Sequence, residues 1–264
     1  MRVTVNLIIL YVAVAAATNN QARIPIPAGI HPQVAALLRA GNLQRYTQTC
    51  AGTILNNRSV LTAARCVSDG RDVDEPNLWR FRVGSSRWDI GGDVYLVRNI
   101  IINDFDQWSM MNDVAVLRSA GTIVFGPNVQ PGQFAGSDYF LQNNQAISTV
   151  GWGYLGFPLW YPKNYSELQR VQLWTIDVNI CRQSYFAEGF YVQNSMICSG
   201  FINPNAVAGA SVRDRCFGEP GAPMFHSNVV VGIRSYGLSC MSNAAIPSIN
   251  TRVSSHIDWI ISNA

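Results

Sequence analysis

Apolar residues along this chain come in short runs rather than long blocks. Runs at 59–62, 79–83, 95–102, 114–117, 146–152, 171–174, 229–233 and 249–253 are separated by stretches carrying Gly, Asn and Pro. Short β-prone segments punctuated by turn residues predict an all-β barrel or sandwich. Two segments break the pattern. Residues 3–17, interrupted mainly by Asn6 and Tyr11, are almost wholly apolar, follow Met1-Arg2 and end in Ala15-Ala16-Ala17. That is the profile of a secretory signal peptide. A run of about 15 residues falls short of the roughly 20 that a membrane span needs, and no later segment is long enough. The expectation is a secreted, extracellular protein with no membrane partner. The last segment, 254–262, places Ile257, Ile260 and Ile261 at three-to-four spacing. It predicts a short C-terminal helix, with Ser254 or Ser255 as its N-cap.

Composition narrows the class. The chain has 264 residues, of which 48% are hydrophobic and 13% charged. That supports a substantial core, argues against disorder and allows one large β domain or two small ones. The net charge is +3, with Arg2 among the positive residues and no basic cluster. So mild and scattered a charge argues against nucleic-acid binding. Six cysteines in a secreted chain fit three disulfides, for which sequence alone allows about 15 connectivities. There is no CxxC pair, and His31, His226 and His256 do not stand at ligand spacing, so neither a metal site nor a cofactor is expected. Asn57-Arg58-Ser59 and Asn164-Tyr165-Ser166 are N-glycosylation sequons. Asn57 is expected in a tight, exposed turn between strands, and Asn164 in a Pro- and Tyr-rich loop. Within that loop, Phe157-Pro158-Leu159-Trp160-Tyr161-Pro162 has two readings, a partner-binding patch or local packing.

Four motifs in the right order carry a family resemblance. Cys216-Phe217-Gly218-Glu219-Pro220-Gly221-Ala222-Pro223 resembles the nucleophile loop Gly-Asp-Ser-Gly-Gly-Pro of chymotrypsin-like, trypsin-type serine proteases. Leu61-Thr62-Ala63-Ala64-Arg65-Cys66 resembles the segment Thr-Ala-Ala-His-Cys. Asn112-Asp113-Val114-Ala115-Val116-Leu117 resembles the segment that carries the triad acid, and Gly151-Trp152-Gly153 opens the second half of the domain. The resemblance covers residues 24–262 and looks closest to insect midgut trypsin-like proteins. It implies two six-stranded antiparallel β-barrels with a short C-terminal helix. The domain reading is a signal peptide over 1–17, a candidate propeptide over 18–23 and the trypsin-like homology domain over 24–264. The resemblance also selects the disulfides Cys50–Cys66, Cys181–Cys198 and Cys216–Cys240.

The departures from the family pattern concern the chemistry. Pro220 stands at the place of the nucleophilic serine. It brings no hydroxyl, and it lacks the backbone N–H that such proteases use as one of two oxyanion donors, leaving Gly218 as the remnant. Arg65 stands at the place of the histidine base and stays protonated at physiological pH. Asp113 keeps the third triad position and reads as a structural carboxylate of a degenerate site; it is placed to form a buried ion pair with Arg65, the alternative being an arginine turned into the cleft. The resemblance implies a partly retained specificity pocket. Asp214 matches its acid, Ser235-Tyr236-Gly237 its substrate-pairing edge, and Ser248 stands where trypsin-like members carry glycine. Arg215 is placed to neutralise Asp214. The pocket therefore reads as a relic that takes Lys or Arg poorly, the alternative being a working docking site.

Arg23-Ile24 occupies the zymogen cleavage position, but Pro25 and Pro27 replace residues of the usual Ile-Val-Gly-Gly, so processing and its absence are both open. Glu219, one methylene longer than the usual aspartate, is the acid beside the nucleophile position; its extra length either compensates, so that it receives a new N-terminal amine, or marks loss of that switch. The resulting reading is a secreted, non-catalytic serine protease homologue acting by binding a protein partner: a protease, an inhibitor or a recognition protein. The alternatives are an active endopeptidase of the same family and a structural or storage protein.

Overall fold

The computed structural model describes residues 24–41, 43–154, 163–186, 188–200, 218–237 and 246–264. The expected signal peptide, the candidate propeptide with Arg23, the aromatic segment 156–162, and Asp214, Arg215, Cys216 and Cys240 lie outside the described residues. β1 (Ile24–Pro25) precedes the first barrel, which consists of β2 (Val34–Arg39), β3 (Thr47–Ile54), β4 (Ser59–Thr62), β5 (Trp79–Val83), β6 (Asp93–Ile102) and β7 (Ala115–Ser119). β8 (Gln133–Phe134) leads to the second, made of β9 (Ala146–Tyr154), β10 (Lys163–Ile176), β11 (Met196–Gly200), β12 (Pro223–His226), β13 (Val229–Tyr236) and β14 (Ser248–Arg252). α1 (Val178–Phe186) follows β10, and α2 (Ile257–Asn263) closes the described chain.

Both barrels close with antiparallel neighbours. The first runs β2-β3-β4-β7-β6-β5 and back to β2. The second runs β9-β10-β11-β14-β13-β12 and returns to β9. Closure leaves each barrel no free strand edge within its ring. β1 adds to β10, and β8 pairs with β13 in parallel.

The near-continuous apolar character of β2 follows from burial on both faces. Successive strand side chains point to opposite sides. Ala35 and Leu37 join the first barrel's interior with Ile54, Val60, Trp79, Phe81 and Leu117. Val34, Ala36 and Leu38 face the other way, into a cluster shared with Val150, Trp152, Met224 and Ile233 of the second barrel. The two barrels are thus joined by one apolar interface, and the polar residues of interest sit where that interface opens.

Two local expectations differ from the structure. α2 is capped by the backbone of His256, with no side-chain cap, because Val253–Ser255 forms a 3₁₀ turn of its own and takes both serines out of the cap position. Asn164, of which only the backbone is described, belongs to β10 and pairs with Gly153 rather than lying in a loop. Asn57 is exposed in the connection 55–58 between β3 and β4.

Candidate functional site

Asp113 lies where the barrels meet and is fully buried. It immediately precedes the apolar run Val114 to Leu117, so the same strand entry that buries those side chains carries the carboxylate inside. Its Oδ1 accepts the backbone N–H of Arg65 at 2.8 Å, and its Oδ2 accepts the Ser235 hydroxyl at 2.6 Å. Its own carbonyl accepts from Thr251 Oγ1 at 2.8 Å. One residue therefore ties the turn after β4 to β13 and β14. Burial pushes the Asp113 carboxyl up, against the Ser235 hydroxyl, the Arg65 N–H and the nearby Arg65 charge.

The expected Asp113–Arg65 ion pair does not form; among the described residues the ion pairs are Arg39–Asp74 and Arg87–Asp89. Arg65 meets Asp113 through its main chain only. Its guanidinium reaches instead into the second barrel, where Nη1 donates to the Ser235 carbonyl at 2.8 Å and the carbon centre lies 5.7 Å from the Tyr236 ring centroid. The physical reason is that the carboxylate is already supplied with donors in a dry site, whereas the carbonyl and ring face are open to a cation.

Pro220 comes to the same junction from the other side. Its carbonyl accepts from Ala51 N at 3.0 Å, and Ala51's carbonyl accepts from Thr62 Oγ1 at 2.7 Å. The close approach requires Gly221, whose φ is +81° and where a Cβ would stand 2.1 Å from the Ala51 carbonyl oxygen. Gly218 precedes at φ +102°. The loop frame is therefore intact around a residue with neither hydroxyl nor N–H. Cys50 and Cys66 are bonded beside it, and Cys181 is bonded to Cys198.

Glu219 is buried, at 2% exposure. Its Oε1 accepts from Trp152 N (2.8 Å) and Gln48 Nε2 (2.9 Å), and its Oε2 from Gly153 N (3.1 Å). This contact accounts for the first glycine of the Gly-Trp-Gly motif, since a Cβ on Gly151 would lie 2.6 Å from Glu219 Oε2. Ile24 is not among its partners. That residue is 56% exposed and pairs with Arg170 at the edge of the second barrel.

Burial raises the Glu219 carboxyl to about 7, outweighing the donors from Trp152, its own backbone, Gly153 and Gln48. Above the ordinary 4.5 the unfolded chain has released this proton while the folded chain still holds it. Its stabilising contribution is therefore full below about 4.5 and is lost as pH rises through about 7. The loss amounts to about 3 kcal/mol at most. Burial, with the Arg170 charge, lowers His31 to about 4, which acts in the opposite direction over the acid range. The isolating measurement is therefore a comparison: denaturant unfolding at pH 5 and pH 8, wild type against Glu219→Gln. The wild type is expected to lose more stability than the variant, and equal losses would remove Glu219 as the cause.

Of the pocket residues, Ser235, Gly237 and Ser248 are brought together. Two buried polar residues of the site had no motif to announce them. Gln48 arrives at Glu219 from 171 positions away. Arg234 is 4% exposed and its Nε and Nη1 point to the carbonyls of Gly218 and Tyr236, each at 3.4 Å. The one available signal for the latter was a lone arginine in the otherwise apolar run Val-Val-Val-Gly-Ile-Arg.

Known proteins agree with this architecture. The family model described as Trypsin matches residues 24–260. "Trypsin CFT-1" of Choristoneura fumiferana is 40% identical across 100% of this chain and 100% of its own length. "Trypsin, alkaline C" of Manduca sexta is 37% identical over 96% of each. Among solved structures, the scabies mite inactivated protease paralogue S-D1 superposes with a TM-score of 0.76, at 20% identity, over 91% of this chain and 95% of that one. At that identity the likeness speaks for the fold. With the sequence matches and the paired six-stranded barrels together, the chain belongs to the trypsin family of chymotrypsin-like serine proteases.

Proposed function

We propose that this protein is a secreted, non-catalytic member of the trypsin family that acts by binding a protein partner. The observation that carries this reading is the junction of Arg65, Asp113 and Pro220. Acyl transfer of the family's kind needs a hydroxyl, a base that shuttles its proton, and donors for the developing oxyanion. Pro220 supplies neither hydroxyl nor N–H. Arg65 cannot take up a proton, and its guanidinium is engaged with the Ser235 carbonyl, on the edge that family members use to pair with a substrate backbone. Asp113 keeps its hydrogen bonds to main chain and serine, with no imidazole to orient. The scabies mite neighbours, whose names call them inactivated protease paralogues, show the same fold under such a description. The relatives named trypsins supply the alternative of an active enzyme.

Secretion is supported by the apolar leader at 3–17, and among the described residues no helix is long and apolar enough to cross a membrane. Exposed Asn57 is accessible as a glycan acceptor. The deciding experiment is covalent labelling. Incubated with a fluorophosphonate, the mature protein is expected to label no more than its boiled control. Labelling that boiling abolishes would reveal a working nucleophile and return the chain to the active enzymes. Affinity capture of partners from the native secretion then addresses the binding role.

A further inference from the structure

Arg234 is a buried cation in a strand that is otherwise apolar up to Ser235. Burying a guanidinium is costly unless acceptors surround it. Among the described residues, two of its acceptors are main-chain carbonyls: Gly218 in the loop before Pro220, and Tyr236 on the strand itself. Nη2 lies 2.9 Å from where a Cβ would stand on Gly237, and Ser248 Oγ lies 3.3 Å from the same point. The backbone is pinned as firmly, since the Arg234 carbonyl accepts from Gly221 N at 2.8 Å and its N–H donates to the Ala222 carbonyl at 2.9 Å. The side chain therefore lies between the Gly218–Gly221 turn and the Tyr236–Gly237 edge, with Ser248 close to that edge. Gly218, Gly237 and Ser248 are the residues to which the family resemblance assigned the remnants of the oxyanion hole and of the pocket for a substrate's basic side chain.

We infer that this space is a binding site for a planar guanidinium or amidinium cation, and that the chain fills it with its own Arg234. A partner's Lys or Arg is thereby excluded, and recognition falls to surfaces outside the pocket. The identity of the pocket rests on the family reading above, but its occupancy is independent of whether the chain is catalytic.

The probe is benzamidine, a small planar amidinium, followed by calorimetry and by thermal unfolding of the full mature chain. Wild type is expected to give no binding heat at millimolar benzamidine and no shift in Tm. Arg234→Ala is expected to melt lower than wild type. Benzamidine should raise its Tm by about 2–4 °C, increasing with the logarithm of concentration. Arg234→Val, whose β-branched side chain suits a strand, serves as the second variant if the alanine chain does not fold. Binding of benzamidine by wild type would show the site open beside Arg234 and overturn the inference. A folded variant that takes up no benzamidine would overturn it too, by showing that the space is not shaped for such a cation. Neither result bears on fluorophosphonate labelling, which tests catalysis alone.

Discussion

Pro220→Ser alone is expected to hydrolyse Lys or Arg esters no faster than wild type, although it restores both the hydroxyl and the oxyanion N–H. The serine would face a permanently protonated Arg65, and loss of the base alone costs a triad protease about 10⁶ in kcat. Arg65→His combined with Pro220→Ser is the minimum for a triad, because Asp113 already accepts the main chain of residue 65 and the Ser235 hydroxyl. A histidine there is positioned by the same backbone bond. The change also releases the Ser235 carbonyl from the Arg65 guanidinium, reopening the substrate-pairing edge. The double variant still carries Arg234 in the pocket. Measurable turnover of basic substrates is expected only when Arg234→Val is added, with a gain of at least about 10⁴ over either single variant, below the full triad effect. Ester hydrolysis followed across the single, double and triple variants checks the order. Turnover by Pro220→Ser alone would mean that another base serves the loop. Turnover of basic substrates by the double variant would mean that Arg234 leaves the pocket accessible.

The second large effect is on stability. Asp113→Ala is expected to lose about 2–4 kcal/mol, because it strands the Arg65 N–H and the Ser235 hydroxyl at a site without water access. That corresponds to a fall in Tm of roughly 4–16 °C for a chain of this size. Asp113→Asn should cost less, since the amide oxygen still accepts one of these donors and no charge is buried. Arg65→Ala should cost no more than about 1 kcal/mol, because its bond to Asp113 is made by the main chain, which alanine keeps. A double-mutant cycle between Asp113→Asn and Arg65→Ala isolates the side-chain term. Coupling of no more than about 1 kcal/mol is expected, from the Arg65 charge acting on Asp113 and from the Ser235 that both bond, without a direct side-chain contact. Coupling well above about 1 kcal/mol would restore the ion pair that the structure lacks.

The motifs made much of this legible before any coordinates. A loop frame of Gly218, Gly221 and Pro223 specifies a backbone path whatever stands between. The substitutions at Pro220 and Arg65 could therefore be read as lost chemistry, each from the residue's own covalent structure. The strands at 59–62 and 79–83 were legible to the residue, because apolar runs between turn signals report local burial. Less was legible for β2, β3 and β11, whose places are set by pairing with other strands of their own barrels.

What only the tertiary structure decided is where the charged side chains go. Arg65 finds the Ser235 carbonyl 170 positions away, and Gln48 finds Glu219 171 positions away. Arg234 points inward, where the sequence shows only an arginine in a strand. Local sequence fixes a residue's chemistry and its place along a strand. The partner of a buried charge is chosen by whichever acceptors closure of the two barrels leaves unsupplied. At Asp113 both carboxylate oxygens already accepted from backbone and serine, so the arginine side chain donated to the carbonyl instead.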